Sequence, residues 1–406
     1  MALKRQRWLS WVLGLALVVG SSAPVMGSRG RSEFTVGRWT NRGLIAVHGL
    51  LEKEEYVAAL KRGEEILERP RLSSHERALV WQTLGFVYSS LERLDDAAQS
   101  FESCLKLEAL PPPTQSATRY NLGQVYMARE KYPEALKTLE AWRAEVETPT
   151  GAALYQLAGA YYHTGAYGGA RGTLREAIGG VASPPESWLT LALSVGFELK
   201  DLKGAARTLK RLISLYPKGT YWLQLASVFE EQGDRPRALA ALGLAYEAGY
   251  VTEKNELLHL TRLYVAEGVP FVGARILERA FLEERFAPEV LTLQFLGSAW
   301  IGAREFGRAV APFREAASKS QRGEDFVRLA NLQVELEDWE GTVVSLDEAL
   351  QKGDLKRPGQ VQLLKGITLL TLKNRSGARA AFREASKYER VRGSARQWLK
   401  HLEERS

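Results

Sequence analysis

The sequence predicts an all-α protein: a right-handed superhelical solenoid of tandem helix-turn-helix repeats, closed by a C-terminal capping helix. The main observation is a motif of small, aromatic and large apolar residues that recurs about every 35 residues with constant internal spacing. A typical copy has Leu122 and Gly123, followed by Tyr126, Ala135 and Leu139. Repetition at this period is typical of stacked helical pairs, none of which can bury its apolar face alone.

The motif also sets the register of each helical pair. We number every repeat so that the leucine of the motif is position seven. The small residues then fall at positions eight and twenty, where the two helices of a pair must approach closely. Position seven of the eight clear copies is occupied by Leu84, Leu122, Leu157, Leu225, Leu260, Leu296, Leu329 and Lys365.

The remaining repeats are less regular. Residues 43–69 read as a degenerate first pair, and a weaker copy around Trp188 and Leu191 fits if one residue is inserted between its helices. Ser394–Glu404 is predicted to be the capping helix. The repeats are therefore expected to cover residues 43–406 as nine to ten units, with the last unit and its cap at 361–406.

Proline and glycine occur at the turns that this register predicts. Pro217 and Pro358 lie between units, where proline cannot interrupt a helix. Gly165, Gly233 and Gly268 lie near the tight turn inside a unit, where a left-handed backbone suits glycine. The alternative that these patterns leave open is an irregular all-helical repeat of another type.

This combination of spacing and residue types resembles the tetratricopeptide repeat, a helix-turn-helix unit of about 34 residues. The resemblance implies a chain that holds other proteins rather than one that catalyses a reaction. A chain tiled by such units leaves little room for an active site.

The N-terminus resembles a secretory signal peptide. Three cations within the first seven residues precede the apolar run Trp8–Gly20, and small residues follow. A membrane-spanning helix needs about 20 apolar residues, more than this run offers. We expect residues 1–27 to be removed near Gly27, residues 28–42 to form a flexible segment, and the mature protein to be periplasmic. The alternative is an uncleaved segment that anchors the chain in the inner membrane.

The sequence contains no recognisable catalytic or metal-binding motif. The five histidines are scattered without metal-ligand spacing, and neither a nucleophile motif nor a phosphate-binding loop is present. Cys104, the only cysteine, occupies a position where other repeats have alanine, so we interpret it as a buried small residue rather than a reactive thiol. We therefore predict no enzyme activity, no cofactor and no metal.

The first helix of each repeat is expected to line a concave groove through positions five, nine and twelve. Aromatic and methionine side chains there would supply contact area for a protein partner. The alternative is that some of them pack against the neighbouring helix. The Lys/Asn clamp by which some chaperone-binding members hold a C-terminal carboxylate is missing. The candidate groove residues are Tyr120, Gln124 and Met127 in one repeat and Tyr155, Tyr162 and His163 in the next.

Positive charge is concentrated at the C-terminus. Residues 352–406 hold 14 Lys and Arg against 5 Asp and Glu, whereas the whole chain has a formal net charge of only +7. Such a surface can bind an acidic protein face or the anionic surface of the inner membrane. The alternative is a solvated helical face without a partner. Nucleic acid is not expected as a partner in the periplasm. The candidate basic face comprises Arg379, Arg383, Lys387, Arg390, Arg392 and Arg396.

Residues 200–404 resemble more narrowly the periplasmic tetratricopeptide proteins that accompany TonB–ExbB–ExbD energy-transduction systems of Gram-negative bacteria. The general repeat does not require the residues that carry this resemblance. They are Leu244-Ala245-Tyr246, Gly249-Tyr250, Val269-Pro270, Arg357-Pro358-Gly359 and Ala395-Arg396-Gln397-Trp398-Leu399. Lys365 departs from the usual leucine and weakens the prediction of the helix that contains it.

The resemblance implies an accessory role in TonB-dependent uptake across the outer membrane, for example of iron complexes, with TonB, ExbB or ExbD as partners. Two alternatives remain open. One is a scaffold in another envelope machine, such as outer-membrane assembly, secretion, or pilus or polysaccharide export. The other is an enzyme or small-ligand binder hidden in the groove.

Overall fold

The computed structural model describes residues 34–404 as 21 α-helices and a short 3₁₀ helix, with no β-strand in that range. The prediction of an all-α repeat solenoid is confirmed. Residues 1–27, for which a signal peptide is predicted, lie outside the described residues. The chain divides into two compact units between Thr208 and Leu209, and each is described by itself.

Ten helices belong to the first unit, and the tenth of them crosses the boundary at Thr208. The helices are α1 (Arg38–Glu52), α2 (Tyr56–Leu67), α3 (Ser74–Ser90), α4 (Leu94–Lys106), α5 (Pro112–Ala128), α6 (Tyr132–Glu145), α7 (Gly151–His163), α8 (Tyr167–Gly179), α9 (Glu186–Glu198) and α10 (Leu202–Leu215).

The second unit continues the same alternation and ends in an unpaired helix. The helices are α11 (Gly219–Glu231), α12 (Arg235–Glu247), α13 (Lys254–Ala266), α14 (Pro270–Leu282), α15 (Val290–Gly302), α16 (Phe306–Lys319), α17 (Gly323–Glu335), α18 (Trp339–Lys352), α19 (Pro358–Thr371), α20 (Arg375–Ser386) and α21 (Arg392–Glu404), with the 3₁₀ helix Glu389–Val391 before α21.

Helices α1 to α8 and α11 to α20 form consecutive pairs in which the odd-numbered helix packs against its even-numbered partner. Within each unit, the next odd-numbered helix then packs against that partner. The core is therefore a series of small apolar clusters, each shared by neighbouring pairs. This is the stacking that the repeat predicted, because no pair buries its apolar face alone.

The two helices of a pair approach closely where position eight faces position twenty-four. A Cβ atom added to Gly85 would lie 2.5 Å from the ring of Phe101, so only glycine fits opposite this phenylalanine. Where position eight is Ala158, the facing residue is the smaller Leu174. The size of the facing residue does not fix the small residue in every repeat, because Gly123 also faces a leucine, and a Cβ atom added there would lie 2.6 Å from Leu139.

The turn inside each pair uses one left-handed residue at position fifteen. The prediction for Gly165, Gly233 and Gly268 is confirmed by their φ angles of 76°, 74° and 77°. In the other pairs the same position adopts φ between 53° and 61° without glycine. Those residues are Glu54, Glu92, Glu130, Lys200, Arg304, Glu337 and Lys373.

The predicted insertion in the repeat around Trp188 is wrong. Helices α9 and α10 are joined by a three-residue turn like the other pairs, and the N–H of Asp201 donates to the carbonyl of Gly196 at 2.8 Å. Lys131 makes the same bond to Tyr126 in its repeat. Gly196 therefore takes the place of the motif's aromatic residue, and no residue is inserted.

Several predicted boundaries also shift. Helix α1 begins at Arg38, so residues 38–42 of the segment predicted to be flexible are helical. The last pair begins at Pro358 rather than 361, and the cap begins at Arg392 rather than Ser394. Lys365 lies inside α19 and forms an ion pair with Asp347, so this departure from the motif does not interrupt the helix.

Candidate functional site

The predicted groove residues lie on two neighbouring odd-numbered helices of the first unit, α5 and α7. Except for the exposed His163, they are half-buried. A Cβ atom added to Gly159, at position nine of α7, would lie 3.4 Å from Cε of Met127, at position twelve of α5. The structure therefore brings these two positions together across adjacent repeats.

Tyr120 is fixed at the inner side of this surface. Its ring lies 4.9 Å from the ring of Trp142, and its hydroxyl accepts a hydrogen bond from Nε2 of Gln124 at 3.2 Å. Burial raises the pKa of Tyr120 to about 12. Much of the Tyr120 side chain thus packs against other residues of the protein. For this residue, packing against neighbours was the alternative to a role in binding.

Tyr155 is held by a second large ring. It stacks on the buried Trp188 of α9, with the ring centroids 6.0 Å apart and the planes 18° from parallel. The indole N–H of Trp188 has no hydrogen-bond partner within the described part of the chain. Tyr155 is therefore oriented by α9 and presents its remaining surface to the groove.

Four aromatic side chains form a row at the end of the groove next to the turns. His163 stacks on Tyr132 with centroids 4.1 Å apart, and its other neighbour, Tyr162, meets it edge-on at 5.6 Å. Tyr167 continues the row at 5.6 Å from Tyr162. We call Tyr132, His163, Tyr162 and Tyr167 the aromatic row. The sequence analysis missed Tyr132 and Tyr167, although each is the aromatic residue that follows a turn at position seventeen.

The groove of the first unit carries no fixed charge at its central positions. From α3 to α9, positions five, nine and twelve hold only amide, hydroxyl, apolar and aromatic residues or glycine. These residues are Gln82, Phe86, Ser89, Tyr120, Gln124, Met127, Tyr155, Gly159, Tyr162, Thr190, Ser194 and Phe197. Such a surface suits a partner segment that is itself uncharged.

The predicted basic face lies on α20, the 3₁₀ helix and α21, except for Lys387, which lies between α20 and the 3₁₀ helix. Two of its members are engaged: Nζ of Lys387 lies 2.7 Å from the carboxylate of Glu384, and Nε of Arg392 donates to the carbonyl of Ser386 at 3.3 Å. The other four make no ion pair among residues 34–404. They are Arg379, Arg383, Arg390 and Arg396, and all but the half-buried Arg379 are exposed.

The structure contains a cavity that the sequence analysis missed. It has a volume of about 510 Å³ and lies in the second unit between α15 and α17. Several of its residues occupy positions nine, twelve and seventeen, so the register applied to the first unit would also have identified them. The lining residues are Ser298, Ile301, Phe306, Phe313, Arg328, Asn331, Leu332 and Glu335.

The remaining chemistry of the described residues is limited. No group of three or more His, Cys, Asp or Glu side chains among them is placed to hold a metal ion. Cys104 is buried, and this burial raises the pKa of its thiol to about 12. No helix between residues 34 and 404 is both long and apolar enough to cross a membrane.

Comparison with known proteins identifies the repeat type in part of the chain. The tetratricopeptide repeat family model matches residues 84–148 and 120–187, about a quarter of the sequence. This segment, which runs from within α3 to the start of α9, therefore matches the tetratricopeptide repeat. A comparison with curated protein sequences gives no match.

Three solved structures match parts of the chain at low sequence identity. YrrB, described as a TPR protein with an unusual peptide-binding site, is 17% identical over 46% of this chain and 92% of its own, with a TM-score of 0.38. MamA is 20% identical over 42% of this chain and 91% of its own, with a TM-score of 0.37. A tetratricopeptide repeat protein from Parabacteroides merdae is 16% identical over 73% of this chain and 100% of its own, with a TM-score of 0.39.

Proposed function

We propose that the chain is a non-enzymatic scaffold that binds a partner protein through the groove of its first unit. Tetratricopeptide repeats in general are protein–protein interaction scaffolds. The observation that carries the proposal is the uncharged groove surface, lined by oriented tyrosines and bordered by the aromatic row. Tyrosines held in place supply contact area without a large loss of side-chain entropy on binding.

The chemistry of the groove specifies the kind of segment that it binds. A charged side chain entering between α5 and α7 would lose hydration without meeting an opposite charge, which is costly. Apolar side chains could pack on Met127 and Tyr155, while the amide of Gln124 and the tyrosine hydroxyls could bond to backbone groups. The expected ligand is therefore a neutral, partly apolar segment of a partner.

We further propose that the protein acts in the periplasm as an accessory of a TonB-type uptake system, with TonB, ExbB or ExbD as its partners. The proposal is supported by the composition of residues 1–27 and by the resemblance over residues 200–404. The partners would use the proton-motive force, and this chain would position them. The corresponding hypothesis is that this uptake system transports iron complexes.

Several of the residues that carry this resemblance have packing roles, although Leu244 and Val269 are exposed. A Cβ atom added to Gly359 would lie 2.6 Å from Cβ of Tyr388, and one added to Gly219 would lie 3.0 Å from Cβ of Tyr250. Trp398 stacks on Phe382 with centroids 5.8 Å apart. The resemblance therefore supports a shared build of the C-terminal repeats more than a shared binding surface.

The basic face would be a second contact, with an acidic protein face or with the inner-membrane surface. Arg379 and Arg383 are four residues apart on α20, and Arg392 and Arg396 are four apart on α21. This spacing places each pair of cations along one side of its helix.

Capture from crosslinked cells tests the proposal. The chain, with a C-terminal tag, is expressed in iron-starved Gram-negative cells, crosslinked and purified, and the bound proteins are identified by mass spectrometry. Recovery of TonB, ExbB, ExbD or an outer-membrane receptor is the expected result. Recovery of assembly, secretion or export components instead would keep the scaffold and exclude the TonB role. Recovery from the cytoplasmic fraction alone would contradict the periplasmic location.

A further inference from the structure

The cavity between α15 and α17 lacks an aromatic stack that is present at the matching positions of one repeat step in the first unit. In the first unit, Tyr132 at position seventeen is covered by the ring of His163 at position thirteen of the next repeat. In the cavity the corresponding residues are Phe306 and Glu335. A carboxylate does not stack on an aromatic ring as imidazole does, and the side chain of Phe306 remains 36% exposed.

The floor and wall of the cavity are apolar. Phe313 and Leu332 are buried beneath it, and Ile301 beside Phe306 is 37% exposed. Large apolar side chains that face an indentation stabilise a bound apolar group, because its insertion removes their surface from water. The cavity is thus suited to one or two apolar side chains.

The rim carries two opposite charges. Arg328 and Glu335 are seven residues apart on α17, which places them on the same side of the helix and roughly 10 Å apart along its axis. Glu335 makes no ion pair among the described residues. The side chain of Arg328 is 56% exposed and lies 4.0 Å from Asp325, whose carboxylate already accepts hydrogen bonds from two other side chains at 2.6 Å.

We propose that this cavity is a second docking site, which binds a short amphipathic helix of a partner protein. The helix inserts an apolar side chain between an acidic residue that pairs with Arg328 and a basic residue that pairs with Glu335. Binding of an amphipathic helix in a groove by apolar anchors is a recurrent mode of recognition. The complementary charges fix the direction of the helix along α17. This site is independent of the first-unit groove and of the partner proposed for it.

Three labelled peptides test the proposal on the full chain by fluorescence anisotropy. Each is a helical alanine-based peptide. The first carries Asp, Phe and Lys at positions i, i+4 and i+7, the second has Gln in place of both Asp and Lys, and the third has Phe replaced by Ala. The charged peptide should bind at least about fivefold more tightly than the Gln peptide, because the Gln peptide makes neither rim pair in either direction along α17. The peptide without Phe should not bind measurably.

A protein without the rim charges provides the decisive comparison. In the double variant Arg328→Ala, Glu335→Ala the charged peptide and the Gln peptide should bind equally. Both side chains are exposed, so the substitutions should leave the helical circular dichroism unchanged. If neither peptide binds more tightly than the one without Phe, the docking site is wrong. Equal affinity of the two peptides for the wild-type protein, or a preference that persists in the double variant, would overturn the role of the rim charges.

Discussion

Individual residues in this fold are constrained by what they face rather than by their own propensities. Position eight packs closely against position twenty-four, with Gly85 against Phe101 and Ala158 against Leu174. Because protein interiors are closely packed, an additional methyl group at such a contact forces neighbouring atoms to move. A single methyl group added at position eight can therefore destabilise a whole repeat.

Replacing Gly85 by Ala should destabilise the protein by about 1–3 kcal/mol, because the new methyl group overlaps the ring of Phe101. The change should be smaller than about 1 kcal/mol in the background Phe101→Leu, which recreates the Ala–Leu pairing of another repeat. Urea unfolding followed by circular dichroism measures both effects. Equal destabilisation in the two backgrounds would show that the two residues are not coupled.

Gly165 and Gly172 allow a matched comparison of backbone conformation. Gly165 has φ of 76°, whereas Gly172 lies inside α8, and a Cβ atom added at either position meets no neighbour within 4 Å. Gly165→Ala should destabilise by about 1 kcal/mol through the left-handed backbone. Gly172→Ala should stabilise by about 0.5–1 kcal/mol through helix propensity. Thermal unfolding of both variants checks these opposite signs, and a shift in the same direction for both would contradict the account.

At the scale of elements, neighbouring repeats of the first unit are connected by a recurring polar contact. The hydroxyl of a tyrosine at position eleven donates to a glutamate on the preceding even-numbered helix. Three repeats show this contact: Tyr88 to Glu64 at 3.1 Å, Tyr126 to Glu102 at 2.6 Å and Tyr161 to Glu140 at 2.7 Å. Burial, followed by the adjacent carboxylate, raises the pKa of each of these tyrosines.

These contacts should make the protein sensitive to alkali. The pKa of Tyr161 is raised to about 12, whereas an unfolded tyrosine titrates near pH 10. A pKa raised by folding stabilises the protein below pH 10, and this stabilisation is lost as the pH rises towards 12. We expect the free energy of unfolding to fall across this range, and less steeply in Tyr161→Phe. Ultraviolet titration should also show a lower pKa for Tyr161 in Glu140→Gln, and an unchanged pKa would contradict the role of this carboxylate.

For the C-terminal helices, the prediction concerns their positive charge. Reversing Arg379, Arg383 and Arg390 to Glu should weaken the binding of polyglutamate and remove most of its salt dependence, because exposed charges are screened by salt. The control reverses Arg171, Arg175 and Lys203, three exposed cations of the first unit, and changes the net charge equally. Binding should be measured at low and moderate salt, with anionic lipid vesicles in parallel. Equal effects of both triple variants would show that the basic face is only a solvated surface.

At the scale of the whole molecule, the sequence predicted contacts within a repeat better than contacts between repeats. Constant spacing from Leu84 onward determines which residues share a helical pair, and the left-handed glycines follow from it. The shifted register at Gly196 escaped prediction because the large residue expected at position eleven is absent there. The stack of Tyr132 on His163 and the cavity beside Phe306 depend on how adjacent pairs pack together, which no spacing within one repeat specifies.

The aromatic groove of the first unit is proposed to bind the partner. The most direct test compares crosslinked capture by the wild-type chain, by the double variant Tyr155→Ala, Tyr162→Ala, and by Tyr246→Ala, which removes a half-buried tyrosine from an even-numbered helix of the second unit. The double variant should lose its partners by about tenfold or more, since truncating central aromatic residues commonly costs over 1 kcal/mol each. Tyr246→Ala should retain them, with unchanged helical circular dichroism in all three proteins. Capture of the same partners at the same yield by the double variant would contradict the claim.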